Sequence, residues 1–268
     1  MAKHTILFLA ATPHGTDARA LDREARAIHA ELERSGHRDG FELVTRWAAE
    51  PLDLLRELRK LRPTVVHFSG RGGQLVPSRH YTDGLPGRDV AGEDHRNREP
   101  PRDGLYFQGA DDQARWVSPQ ALQDTFGAAG SSVQVVVLDA CYSATQAEAL
   151  LAHVDCVVST HGTIHDDAAR SFAIGFYGGL GERESIAAAY RQGCAAISLE
   201  GLPDADRPQL AVRDGICRAA GARRGPTCKP SVSHPLHSGE LRRPPSDSGI
   251  ARSCVALGLR SCRVRSDL

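Results

Sequence analysis

The stretch VQVVVLDACYS, residues 133–143, decides the fold. Its first half is an unbroken apolar run of the kind carried by a parallel strand covered on both faces, so residues 133–138 are expected at the centre of a sheet. Its second half places Cys141 where the strand ends, and the S-x-x-Q spacing of Ser143 and Gln146 is that of a capping box, so a helix is expected from there through Leu151. Ligands of open parallel sheets gather at the carboxyl ends of the strands. Backbone N–H groups and the positive end of a helix dipole at that point favour the thiolate, the nucleophilic form of cysteine. The same position also suits an inert thiol, since free cysteine is among the most buried residue types.

Outward from this strand the chain alternates. Residues 5–10 read as a buried strand ending at the turn residues 12–15. Leu21, Ala25, Ile28 and Leu32 then lay an apolar stripe on a helix that starts at Thr16 or Asp17 and stops at Gly36. A strand over 41–47, a helix opened by Pro51 and a strand over 64–68 complete a βαβαβ pattern. Residues 77–104 are polar, a long interruption for a compact domain, with a small hairpin arm expected near 105–108. Ser118 and Pro119 start a helix running to about Phe126, a strand covers 154–159, and helices cover 166–178 and 182–198 before a last strand over 208–212. Asp166 and Asp167 read as helix-capping acids rather than metal ligands. The glycine groups Gly70, Gly72, Gly73 and Gly178, Gly179, Gly181 lack the strand and helix context of a phosphate loop and read as turns. A phosphatase would need an arginine six residues after its cysteine, where Ala147 stands.

Composition bounds the function classes. The 268 residues carry 33 basic and 33 acidic side chains, which excludes a wholly basic nucleic-acid binder. The apolar runs fall far short of the roughly 20 residues of a membrane span and no signal peptide is legible, so the expectation is a cytoplasmic protein with its seven cysteines reduced. Residues 213–268 hold eleven basic against four acidic residues, and four of the cysteines, with no sustained apolar period. They read as a basic tail that burial cannot order, appended to a domain over 1–212. Cys217, Cys228, Cys254 and Cys262 lack the close pairing of a zinc site; a tail of this charge could touch nucleic acid, but a solvated tail is the simpler reading.

The segments ILFLAATP, ELERSGHRDGFELVTRWA, PTVVHFSGRG, VVLDACYSATQAEAL and VVSTHGTIHDDAARSFAIGFYGGL resemble the caspase-like CHAT domains of bacterial proteins, in the peptidase clan of caspases, metacaspases and separases. The resemblance covers about residues 4–212 and implies a three-layer α/β caspase-like fold, a mostly parallel sheet flanked by helices. It implies no metal or other cofactor, and a protein or peptide as substrate or partner. In that family a histidine in H-x-S-G-H-G and a cysteine in A-C-x-S form a catalytic dyad. Cys141 falls on the nucleophile, and Asp139 resembles the aspartate that in metacaspases receives a basic P1 side chain. The histidine position holds Arg71, between Gly70 and Gly72. Arginine stays protonated and cannot shuttle the proton from thiol to leaving amine, whereas histidine titrates near neutrality.

Two functions follow from this reading. The first is a degenerate peptidase of a bacterial defence or signalling system, its cleft kept as a fold remnant or peptide groove. The second is a working cysteine endopeptidase cutting after Lys or Arg, with another histidine as base. His161, after the 154–159 strand, and His80, in the long loop, are topologically closer to the cleft than His67, which reads as a strand packing residue.

Overall fold

The structure is a computed structural model that describes residues 3–11, 13, 18–75, 102–109 and 113–213. Contacts divide the chain into two units, Met1–Asp214 and Gly215–Leu268. The second unit, and with it most of the basic tail, lies outside the described residues, as do His80 and the expected helix start at residues 16 and 17.

The central sheet is built from β1 (His4–Ala10), β2 (Phe41–Arg46), β3 (Val65–Ser69), β7 (Val135–Asp139), β8 (Cys156–Thr160) and β9 (Pro208–Val212), in the order β2-β1-β3-β7-β8-β9. All pairings are parallel except β8 with β9. β3 and β7 form the central pair, with Val65 opposite Val135 and Ser69 opposite Asp139. The proline that opens β9 is tolerated because the strand lies at the edge.

The apolar runs are continuous because both faces of the sheet are covered, and alternate residues serve opposite cores. Ile6, Phe8, Val65, Val135, Val137 and Val158 pack against α1 (Ala18–Arg34), through Leu21, Ala25, Ile28 and Leu32, and against α5 (Asp166–Gly181), through Phe172, Phe176 and Tyr177. Leu7, Leu9, Val66, Phe68, Val136 and Leu138 pack against Leu54 and Leu58 of α2 (Pro51–Leu61), Leu122 and Phe126 of α3 (Pro119–Ala129), and Leu150 of α4 (Ala144–Leu150). α6 (Ile186–Leu199) packs on α5 so closely that a Cβ on Gly179 would overlap the backbone of Ala189. This is the three-layer α/β arrangement, with a mostly parallel sheet between helices.

Three local readings change. The segment after β3 is not a plain turn: Arg71–Leu75 is a strand, β4, antiparallel to β5 (Arg102–Gln108), which in turn pairs with β6 (Ala114–Val117). The expected hairpin arm is thus a three-stranded sheet, hidden in the sequence because glycines at 72 and 73 weaken strand propensity. Gly178, Gly179 and Gly181 are the last turn of α5 rather than a loop, kept helical by packing on α6 and Ser35. The capping box at Ser143 does not form. Its hydroxyl instead accepts from the Thr160 N–H at 2.9 Å, and α4 starts with no side-chain cap. α5 likewise is preceded by His165 without a side-chain cap, Asp166 and Asp167 lying within its first turn.

Candidate functional site

The ends of β3 and β7 bring the sequence-selected residues to one place. The Gly70 N–H donates to the Asp139 carbonyl at 3.1 Å, so the chain leaving β3 crosses the end of β7. Two residues on, Gly72 lies against Cys141: a Cβ there would overlap the Cys141 carbonyl oxygen and press on the Ala140 methyl. Arg71, exposed at the start of β4 and opposite Tyr106 of β5, therefore adjoins the cysteine loop.

Cys141 is half-buried. The residue after it, Tyr142, is half-exposed and holds φ at 56°, a left-handed conformation that costs a non-glycine residue of order 1–3 kcal/mol and persists where the surroundings fix it. Here the Tyr142 N–H donates to the Gly162 carbonyl at 2.8 Å and the Ser143 N–H to Thr160 at 3.2 Å. These bonds bind the cysteine elbow to the end of β8, so exposed His161, next to Gly162, lies in the segment running alongside it. His161 is itself held by its backbone N–H on the Arg207 carbonyl at 2.8 Å.

Asp139 belongs to a buried polar group that the sequence reading did not assemble. Glu24 of α1, 3% exposed, and His67 of β3, 1% exposed, meet with Oε1 and Nε2 3.0 Å apart. His67 Nδ1 lies 3.0 Å from the Tyr177 hydroxyl, and Ser69 Oγ donates to Glu24 Oε2 at 2.5 Å and to Asp139 Oδ2 at 3.4 Å. Burial, followed by the nearby Glu24 carboxylate, pushes the Asp139 carboxyl well above the usual carboxylate range. Burial opposes ionisation of Glu24 as well, but the charge of the facing His67, with help from the Ser69 hydroxyl, outweighs it and holds its pKa below the usual value. Burial also raises the Tyr177 hydroxyl well above its ordinary range. A signal for this group was present in the sequence: Glu24 interrupts the apolar stripe of α1, between Leu21 and Ala25.

The arrangement presents a thiol on a strained elbow, a guanidinium-bearing strand beside it and a partly buried acid two residues before it. The profile of the CHAT domain family matches residues 5–206, and the chain belongs to that family. Among solved structures it is similar to a secreted C11 cysteine protease from Bacteroides thetaiotaomicron in complex with an irreversible peptide inhibitor, at 10% identity and a TM-score of 0.52, covering 74% of this chain and 60% of that one. A second structure of a secreted C11 cysteine protease from the same organism, "iotapain", gives 12% identity and a TM-score of 0.51 over 79% of this chain and 66% of that one. The likeness is one of fold, caspase-like, and the chain spans less than two thirds of either protease structure. No curated protein matches the chain. No described helix is long and apolar enough to cross a membrane.

Proposed function

We propose that the domain over residues 1–212 is a degenerate caspase-like peptidase that serves a bacterial defence or signalling system by binding a protein or peptide in the Cys141 cleft. What supports this reading is the contact of Gly72 with Cys141, which brings the segment bearing Arg71 to the cysteine loop. A guanidinium there can hold a thiolate by charge but cannot return a proton to a leaving amine. Localisation in the cytoplasm and a basic tail over 213–268 belong to the same proposal.

The hydrogen bond from Tyr142 to Gly162 favours one alternative, an active endopeptidase in which the adjoining His161 replaces the base and Asp139 pairs with a P1 Lys or Arg. Assay of the wild type on peptide libraries separates the two. The degenerate reading expects no cleavage that depends on Cys141, and turnover abolished by Cys141→Ala and by His161→Ala but kept in Arg71→Ala would replace it with the alternative.

A further inference from the structure

The cysteine cleft leaves unexplained why three ionisable side chains from three elements converge, two of them buried and Asp139 partly so. Glu24, His67 and Asp139 each offer a donor atom, and these atoms all lie within 4.8 Å of one another. Glu24 Oε1 and His67 Nε2 are inaccessible and stand 3.0 Å apart, an ion-pair distance, yet neither atom is aligned for a hydrogen bond with any described group. All three residues line a cavity of about 10 Å³, room for one water or one ion.

The separation of the two unaligned atoms has a simple meaning in coordination chemistry. With bonds of about 2.0–2.1 Å, two donors stand about 3.4 Å apart at the tetrahedral angle zinc prefers and about 2.9 Å apart at the right angle of octahedral ions, so 3.0 Å lies nearer the octahedral value. The remaining atoms of both side chains are held from outside, His67 Nδ1 by the Tyr177 hydroxyl and Glu24 Oε2 by Ser69, as ligands commonly are. One imidazole and two carboxylates also form a neutral site with a dication, removing the cost of two acids packed together in the interior.

We propose that Glu24, His67 and Asp139 bind one divalent transition ion of the zinc or manganese class at the carboxyl ends of β3 and β7. The mixed nitrogen and oxygen donors suit such ions, and the absence of sulfur argues against copper(I). The ion ties α1 to the two central strands, and it occupies the carboxylate that a basic P1 side chain would need. The proposal does not depend on cleavage, because its test reads metal alone.

The full chain, stripped with EDTA, is titrated with Co²⁺ followed by visible absorption and with Zn²⁺ by calorimetry. One ion per chain is expected, with d–d bands and no thiolate-to-cobalt charge transfer. Glu24→Gln and Asp139→Asn, each close in shape to the original, should weaken binding at least tenfold, and Tyr177→Phe, which loosens His67, by about 10–100-fold. Saturating Zn²⁺ should raise the wild-type unfolding midpoint by roughly 5 °C or more at a hundredfold excess over Kd. That shift tests the site even where a variant fails to fold. Absence of saturable binding, binding that carries thiolate bands, or binding undiminished in both Glu24→Gln and Asp139→Asn would overturn the proposal.

Discussion

Gly72 and Cys141 touch through their backbones, and no side chain fits between them. The approach fixes how near β4 comes to the elbow. Gly72→Ala should therefore displace the Cys141 carbonyl or push β4 away, at a cost of about 1–3 kcal/mol from overpacking. Thermal unfolding reads this as a loss of several degrees, and the alkylation rate of Cys141 should change with it. Wild-type stability together with an unchanged alkylation rate would show that the contact constrains nothing.

Arg71→His tests the position rather than the packing. A restored histidine beside a prepared thiol is expected to gain Cys141-dependent peptide cleavage, since general acid–base groups contribute about 10²–10⁴-fold. The gain should disappear in the double variant with Cys141→Ala, and in metal-free protein Asp139→Ala should remove any preference for basic P1 residues. Complete inactivity of folded Arg71→His across basic, acidic and apolar P1 libraries would mean that the cleft has lost more than its base.

Ser143→Ala removes the acceptor for the buried Thr160 N–H without changing shape elsewhere. A buried donor left unpaired costs about 1–3 kcal/mol, so the unfolding free energy should fall by that amount. Denaturant titration at constant m-value measures it. No loss would indicate that Thr160 finds another acceptor.

Asp204 supplies the acid dependence. Its buried carboxylate accepts from the His165 backbone N–H at 2.9 Å, and that bond, against a smaller opposing effect of burial and with help from the His165 ring, lowers its pKa. A carboxyl whose folded pKa lies below its unfolded value contributes stability that is present above the unfolded pKa and lost as pH falls through the folded one. Wild type should thus lose stability from about pH 5 downward more steeply than Asp204→Asn. At neutral pH the asparagine variant should be the less stable of the two. Parallel pH curves for the two proteins would remove Asp204 from the account.

The layers of the fold were legible because burial on both faces writes itself as unbroken apolar runs, as in residues 133–138, and because helix stripes such as Leu21, Ala25, Ile28 and Leu32 repeat with the helical period. β4 was not legible: Gly72 and Gly73 look like a turn, and the strand exists because β5 pairs with it from about thirty residues away. Ser143 misled for a related reason, since a tertiary donor, Thr160, competes for the hydroxyl that a local cap would use. Cys141 could be singled out by its place at a strand end, and Asp139 by its resemblance to the metacaspase aspartate. Their neighbour Glu24 was legible only as a charge set within an apolar stripe, because nothing local tells which partners such a residue will meet across the sheet.

The pairing of Arg71 with Tyr106 is a backbone pairing, and it holds the chain at this position whatever side chain it bears. That side chain is exposed, so exchanging it opens no cavity in either core. Arginine and histidine codons can differ by a single nucleotide. The scaffold thus uncouples inheritance of the architecture from inheritance of the chemistry: a lineage could silence or recover a proton shuttle in one mutational step while the surrounding sheet remained under unchanged selection for stability.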